Sequence, residues 1–237
     1  MDKSYYTNDY IFLAAGYCAP EQHRHFAKHL LIAINEEMVC KIENKTVKCK
    51  GIIIQSNVMH NILYKPPLLL FLIDETSDLS HRIDACYLHG KTFSIMHETI
   101  VQEVIEITNK YQSMKHIGQA ILSLLELPDN IVRILDERVL ITLSVIDQSE
   151  TIDRNIYHTI CEVTHLSQSR LSHMFREQVA TSLASYLVLA KFRKTYEYIL
   201  SGENITQASV RAGFDSPSHF AAACKRMFGN AFTTLIE

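Results

Sequence analysis

The sequence lacks three features, each of which would define a class of protein. Its six cysteines include no Cys-x-x-Cys pair, its longest aliphatic run (68–73) is too short to cross a bilayer, and its 23 Lys and Arg are outnumbered by 26 Asp and Glu. These absences argue against a membrane-spanning chain and against one that is basic throughout. The first apolar stretch follows Asp9 without a basic leader, so we expect no secretory signal, a cytoplasmic location and reduced thiols.

The composition that remains is globular. Apolar residues make up 47% and charged residues 21% of 237 residues, enough for one large domain or two ordinary ones. Residues 150–237 contain nine Lys and Arg against eight Asp and Glu, whereas residues 1–149 contain fourteen against eighteen. This difference is too small to indicate a nucleic-acid partner by itself.

Short apolar runs without helical spacing occupy residues 10–74. The segments 38–42 and 46–50 flank the polar turn at 43–45, a pattern that predicts a β-hairpin. Further runs follow at 51–55, 60–64 and 68–73, and Pro66-Pro67 is expected to separate the last two. Five to seven strands without intervening helices predict an antiparallel sheet or small barrel.

The apolar spacing becomes helical between residues 94 and 146. Ile100, Val104 and Ile107 recur every three or four residues, and the pattern continues on both sides of a break at 128–130. Two or three amphipathic helices are therefore predicted, with their apolar faces against a core. The alternative is that Ile100, Val104 and Ile107 form a dimer surface.

An eighteen-residue pattern occurs twice in the C-terminal part. Residues 163–180 read "VTHLSQSRLSHMFREQVA" and residues 212–229 read "AGFDSPSHFAAACKRMFG". In the first copy Ser167 suits an N-cap and Leu171, with Met174 and Phe175, forms one apolar face below a polar one. In the second, Gly213 suits the turn and Ser216-Pro217 the helix start. Each copy, with the short helix before it, predicts a helix-turn-helix.

A helix of about twenty residues, closed by Gly202, is predicted between the copies. Its apolar positions form two groups, one around Leu183 to Ala190 and one around Phe192 to Leu200, as expected if one helix packs against both copies. Twenty residues span about 30 Å, and successive major-groove segments of DNA lie about 34 Å apart. The spacing therefore predicts two recognition helices in neighbouring major grooves.

Residues 152–229 resemble the DNA-binding domain of the AraC/XylS family of bacterial transcription regulators. The resemblance lies in "LSQSRLSHMFRE", "SYLVLAKFRKTYEYILSG", "NITQASVRAGFDSPSHF" and "CKRMFG". It implies sequence-specific promoter binding and a separate domain that senses a small molecule or mediates dimerisation. The chain departs from the family pattern at Ala180, Lys191, Ala221 and Ala222, and in the tail "NAFTTLIE".

The two recognition helices offer two kinds of DNA contact. Polar residues on their outer faces are expected to read base edges, with most of the discrimination in the first copy, and basic residues are expected to contact phosphates. The predicted base readers are Ser169, Arg170, Ser172, His173, Ser218 and His219, and for Arg170 the alternative to a guanine is a phosphate. The predicted phosphate contacts are Arg176, Lys191, Arg193, Lys225 and Arg226.

The N-terminal segments "HRHFAKHLLIAIN" and "CKGIIIQSNVMHNI" are similar to the shortened cupin-like sensory domain of such regulators. His23 and His25, two residues apart, would share one strand face, with His60 facing them. Three imidazoles are a possible ligand set for Zn²⁺ or Fe²⁺. Ordinary histidines of a pocket or surface are the alternative, and no other cofactor is expected.

The sequence therefore predicts an α+β protein with three regions: a cupin-like β domain (1–93), a helical linker or dimerisation region (94–149) and an all-α domain of two helix-turn-helix units joined by a long helix (150–237). The predicted function is DNA-binding transcription regulation by a non-enzyme. The expected partners are double-stranded DNA, a small-molecule effector, a second copy of the chain and RNA polymerase. Two alternatives are a protein-interaction module built from helical repeats and a metal-cupin enzyme.

Overall fold

The computed structural model describes residues 4–132 and 134–228. Its contacts divide the chain into two compact units, residues 1–133 together with 224–237 and residues 134–223. Separate hydrophobic cores lie in the sheet unit and in the helical unit. The closing tail "NAFTTLIE" and Gly229, which ends the second copy of the repeat, lie outside the described residues.

The first unit contains an antiparallel sheet of eight strands in the described part of the chain, which confirms the predicted β domain. The strand order is β1-β2-β7-β3-β6-β8, and β4 pairs with β5 and with β7. The strands are β1 (Ser4–Tyr6), β2 (Tyr10–His23), β3 (Lys28–Ala33), β4 (Met38–Ile42), β5 (Lys45–Cys49), β6 (Gly51–Ile54), β7 (His60–Ile73) and β8 (Phe93–Ile95).

The predicted hairpin is present. β4 pairs with β5 from Met38 opposite Cys49 to Ile42 opposite Lys45. Glu43 adopts a φ of +52° in the tight turn that joins them. The turn consists of Glu43 and Asn44, one residue fewer than predicted, because Lys45 already pairs with Ile42.

The expected break at Pro66-Pro67 is wrong, because β7 continues through both prolines. β2 lies along one side of β7, while on the other side β4 pairs with residues 60–63 and β3 with residues 68–73. The prolines fall in the interval between β4 and β3. On that side a missing N–H interrupts no ladder, and on the other side the pairing with β2 is irregular between Gly16 and Cys18, so the strand tolerates both residues.

Between residues 78 and 124 the first unit has the helices α1 (Asp78–Ile83), which continues into a π-helical turn (Asp84–Leu88), α2 (Glu98–Lys110) and α3 (Met114–Leu124). Val104 is fully buried in the core that α2 shares with the sheet, and Ile100 and Ile107 are half-buried against it. α3 lies so close to the sheet that a Cβ on Gly118 would be 3.0 Å from the Phe12 ring. The stripe on α2 therefore packs inward, and Val104 is not available to a second subunit.

The helices after residue 133 are α4 (Glu137–Gln148), α5 (Ile156–Thr164), α6 (Gln168–Val179), α7 (Leu183–Leu200), α8 (Ile205–Arg211) and α9 (Pro217–Phe228). Val139 and Ile146 of α4 are buried with Ile160 and Phe175 of α5 and α6. The region 94–149 is thus divided, with α2 and α3 on the sheet and α4 in the helical unit. Among the described helices, none combines the length and apolarity needed to cross a membrane.

Candidate DNA-binding site

The first helix-turn-helix consists of α5 and α6. His165 ends α5 in the left-handed conformation at φ +54°, and its N–H contacts the last carbonyls of that helix. The Ser167 hydroxyl then accepts from the Arg170 N–H, which is the N-cap that the sequence predicts. Leu171 and Phe175 are fully buried, so the opposite face of α6 points to solvent.

The second helix-turn-helix, α8 and α9, repeats the first at a constant offset. Ile205 begins α8 forty-nine residues after Ile156 begins α5, and Pro217 stands at the same distance from Gln168. The Ser216 hydroxyl accepts from the His219 N–H at 3.1 Å and caps α9 as predicted. The repeat in the sequence is therefore a repeat of structure.

Gly213 shapes the turn between α8 and α9. Its φ is +106°, and a Cβ at this position would lie 2.1 Å from the carbonyl oxygen of Ile152. The Ile152 N–H in turn donates to the carbonyl of Ala212 at 3.2 Å. The turn thus requires glycine for its backbone conformation and for the close approach of another backbone segment.

The helix α7 connects the two motifs. Its eighteen residues span about 27 Å at 1.5 Å per residue. The predicted first group, from Leu183 to Ala190, lies in the core of the first motif. In the second group Phe192 packs with Phe214 and Phe220 at ring-centroid distances of 5.2 and 5.6 Å, whereas Leu200 is 56% exposed and does not belong to the group.

The outer face of α6 carries most of the predicted base readers. Ser169, Arg170 and His173 are exposed, and so is Arg176 in the last turn. The His173 Nδ1 lies 3.4 Å from a carboxylate oxygen of Glu177. Ser172 is half-buried and hydrogen-bonds to Tyr157, which makes it a poorer candidate than the sequence indicates.

The outer face of α9 is less polar. Ser218 is exposed, together with Ala221 and Ala222. His219 is half-buried, with its Nδ1 3.3 Å from Asp215, and Asp215 also accepts from Arg154 at 3.4 Å. Arg154 and Asp215 were not among the predicted site residues, since they are 61 residues apart and only the fold joins them.

The five predicted phosphate contacts separate into two groups. Lys225 and Arg226 are exposed in the last turn of α9, as Arg176 is on α6. Lys191 instead donates to the carbonyl oxygen of Gly213 at 2.6 Å, and burial lowers its pKa. Arg193 is half-buried and donates to the Tyr186 hydroxyl at 3.4 Å.

The two predicted phosphate contacts on α7 also lie near aromatic rings of the domain. The ammonium of Lys191 lies 5.7 Å from the centre of the Phe214 ring, so it supports the second turn from within the motif. The guanidinium of Arg193 lies 5.9 Å from the centre of the Tyr186 ring. Both cations thus stabilise packing around α7, whereas the exposed basic residues remain on α6 and α9.

The three predicted metal ligands come together in the first unit. His23, His25 and His60 are buried, and one ring nitrogen from each lies within 4.8 Å of the others. His23 and His25 do not share a strand face, since β2 ends at His23 and His25 lies in the connection to β3. His29, which the sequence places only nearby, has its Nε2 2.8 Å from that of His25.

A protein-family model described as a helix-turn-helix domain matches residues 160–237. The match begins within α5 and includes α6, α7, α8 and α9. The described part of this match, residues 160–228, is a helix-turn-helix domain of the AraC type. This confirms the resemblance to AraC/XylS regulators that the sequence motifs indicate, and DNA binding is the function of such a domain.

The AraC-type domain belongs to a chain whose whole fold is found in ToxT from Vibrio cholerae strain SCE256. The apo K231A variant of ToxT matches with a TM-score of 0.63 and 11% identity, covering 98% of this chain and 99% of ToxT. Wild-type ToxT bound to an unsaturated fatty acid matches with a TM-score of 0.58 and 13% identity, covering 95% and 94%. At these identities the likeness shows the fold alone.

The AraC-like transcriptional activator CuxR matches more weakly, with a TM-score of 0.41 and 12% identity over 87% of this chain and 83% of CuxR. No curated protein matches the sequence. The family match of residues 160–237 is to a DNA-binding type of domain.

Proposed function

We propose that this chain is a sequence-specific transcription regulator in which α6 and α9 enter neighbouring major grooves of one DNA duplex. The observation that carries the proposal is the two-sided character of α6. Its apolar side, with Leu171 and Phe175, is fully buried, whereas Ser169, Arg170 and His173 are exposed on the outer side. A recognition helix needs this arrangement to reach base edges while packed on its own domain.

The length of α7 supports the placement of both helices on one duplex. A rod of about 27 Å that packs against one motif at each end approaches the roughly 34 Å between successive major-groove segments. The outer face of α6 is more polar than that of α9, which supports a larger share of base recognition by α6. α6 offers Arg170 and His173, whereas α9 offers Ser218 and the methyl groups of Ala221 and Ala222, which suit a thymine methyl.

Selection of bound DNA from a random pool, followed by footprinting of the selected site, tests this proposal. We expect two protected segments about 10–10.5 base pairs apart on one face of the duplex. Protection of a single segment, or no enrichment of any sequence, would contradict the proposed reading mode.

Two variants of α6 separate base reading from positioning. His173→Ala is expected to cost about 1–3 kcal/mol on the selected site and little on random DNA. Arg176→Ala should weaken both complexes about equally, because a phosphate contact carries no sequence information. Fluorescence anisotropy on both DNAs measures the difference. If Ser218→Ala relaxes specificity more than His173→Ala does, the first copy is not the main reader.

We further propose that the first unit binds a small-molecule effector, that the regulator acts as a homodimer in the cytoplasm, and that RNA polymerase is among its partners. One ToxT structure contains an unsaturated fatty acid, so this fold accommodates a small ligand. Ile100 and Ile107 are half-exposed and are the parts of the α2 stripe that a second subunit could contact. Sedimentation of the full chain tests the homodimer, and a monomer at every concentration would contradict it.

A further inference from the structure

Four imidazoles meet in the interior of the first unit. His23 ends β2 opposite His60, which begins β7, while His25 follows β2 and His29 is the second residue of β3. All four side chains belong to buried residues, and His29 and His60 are 0% and 1% exposed. The ring centroids of His23 and His60 are 4.6 Å apart, as are those of His29 and His60.

The ring of His60 has a defined tautomer. Its Nδ1 lies 2.8 Å from the carbonyl oxygen of Val58, and a carbonyl only accepts, so Nδ1 carries the proton. The Nε2 therefore presents a lone pair, and this buried atom has no hydrogen-bond partner. A backbone carbonyl on one ring nitrogen and a bare lone pair on the other is the arrangement found in metal-binding histidines.

His29 holds the ring of His25. Their Nε2 atoms are 2.8 Å apart, so one N–H donates to the other nitrogen. The Nδ1 of His29 is buried without a hydrogen-bond partner. Buried polar atoms in folded proteins are normally hydrogen-bonded, so unpaired ring nitrogens in a buried cluster point to a ligand.

We propose that His23, His25 and His60 bind a divalent transition metal of the Zn²⁺ type, and that His29 acts as a positioning residue for His25. Metal–nitrogen bonds of about 2.0–2.1 Å place tetrahedral ligands roughly 3.4 Å apart. One nitrogen from each of the three rings already lies within 4.8 Å of the others, so small ring movements complete the site. Three neutral ligands leave the charge of the ion uncompensated, which favours water or a small anion in the fourth position.

This site defines an input for the regulator, an extension that rests on the proposed function. The metal would be the effector of the first unit, or would hold an anionic effector in its fourth position. Binding of the metal itself does not depend on that extension, so the two are tested separately.

The test titrates the full-length wild-type chain with Zn²⁺ and with Co²⁺ after treatment with a chelator. We expect one zinc ion per chain by elemental analysis, a rise in melting temperature with Zn²⁺, and the intense visible absorption of tetrahedral Co²⁺. These readouts on the wild type do not depend on whether a variant folds. A folded chain that binds neither ion would overturn the proposal and leave a neutral histidine cluster.

Variants assign the roles. His60→Gln should weaken zinc binding by more than about 100-fold, and His29→Leu by about 10–100-fold, as expected for the loss of an outer partner. His29→Gln should recover most of the affinity because its amide can still hydrogen-bond His25. His116→Gln, an exposed histidine on α3, is the control and should bind zinc normally. Unchanged affinity in a folded His60→Gln chain would contradict the assignment.

Binding to the selected DNA, measured with Zn²⁺ and with chelator, separates this inference from the proposed function. Zinc binding without any DNA binding would leave the metal site standing and remove the regulator. DNA binding by a chain that binds no metal would support the proposed regulator and contradict the metal site. Equal DNA affinity in both conditions, with zinc bound, would contradict the role of the metal as effector.

Discussion

Gly213 is the residue on which the second helix-turn-helix most depends. A Cβ there would be 2.1 Å from the carbonyl oxygen of Ile152, a contact that backbone on both sides cannot easily relieve. Gly202 has nearly the same φ, +103° against +106°, but a Cβ there would meet nothing within 4 Å. Substitution of Gly202 would therefore cause backbone strain alone, whereas substitution of Gly213 would cause the same strain together with steric overlap.

We expect Gly213→Ala to lower the free energy of unfolding by more than about 3 kcal/mol, and Gly202→Ala by about 1–2 kcal/mol from backbone strain alone. Urea denaturation followed by circular dichroism measures both. Equal losses in the two variants would show that the overlap with Ile152 is relieved at little cost.

Ala180 presents the opposite case, a residue with a Cβ where glycine is preferred. It ends α6 at a φ of +58°, in the left-handed region. Ala180→Gly is expected to stabilise the chain by about 1 kcal/mol, because the strain removed exceeds the entropy that glycine adds to the unfolded chain. Ala222→Gly, on the exposed middle of α9, is the matched control and should destabilise by about 0.5–1 kcal/mol. A loss of stability in both variants would contradict the assigned backbone strain.

At the scale of elements, α7 is a structural helix, and its cations follow that role. Lys191 donates to Gly213 at the turn of the second motif and packs near Phe214, while the residues from Leu183 to Ala190 pack in the core of the first motif. The exposed residues among the predicted phosphate contacts, Arg176, Lys225 and Arg226, lie instead in the last turns of the two recognition helices. Loss of a cation from α7 and loss of one from α9 should therefore have different consequences.

Lys191→Met is expected to lower the free energy of unfolding by about 1–2 kcal/mol and to leave the salt dependence of DNA binding unchanged. Lys225→Met should change stability by less than about 0.5 kcal/mol and reduce the slope of log affinity against log salt by about 1. Denaturation and anisotropy titrations at several salt concentrations measure the pair. If Lys191→Met reduces the slope of log affinity against log salt, Lys191 contacts a phosphate.

At the scale of the whole molecule, the charge sets how strongly DNA binding depends on salt. The chain has a net charge of −3, and the exposed basic residues on the recognition helices are few. With Arg176, Lys225 and Arg226 as the phosphate contacts, we expect log affinity to fall with log salt concentration at a slope near −3 for one subunit and about −5 for two. Anisotropy titrations between about 50 and 200 mM salt, with the mass measured by sedimentation, test this. A slope beyond about −8 would require phosphate contacts from more than these three residues in each subunit.

Much of the fold was predictable because the deciding interactions are local. Ser167 and Ser216 cap helices through hydrogen bonds to residues three positions on, and the hairpin turn at Glu43 sets its own register. Such contacts depend on spacing that the sequence displays directly. The pattern occurs twice with one helical segment between the copies, so the sequence predicts both helix-turn-helix motifs and the helix that links them.

Other features depended on residues that meet only after folding. β7 continues through its prolines because β3 and β4 end on either side of them. The residues next to the prolines do not reveal this pairing. The stripe of Val104 could serve a core or a partner, and only its packing on the sheet decided between them. Lys191 looks like any surface cation until Gly213 lies beside it.

The sequence by itself determined the helices, their caps and the polar face of α6, because these follow from residue spacing within one or two turns. Only the tertiary structure decided which polar residues remain exposed and which are used in packing. It also placed the lone pair of His60 inside a cluster of four histidines, three of which come from the segment 23–29 and one from a distant strand. The physical reason is that the surroundings of a side chain come from segments far apart in sequence. Those segments determine whether a polar group is exposed, hydrogen-bonded or buried without a partner.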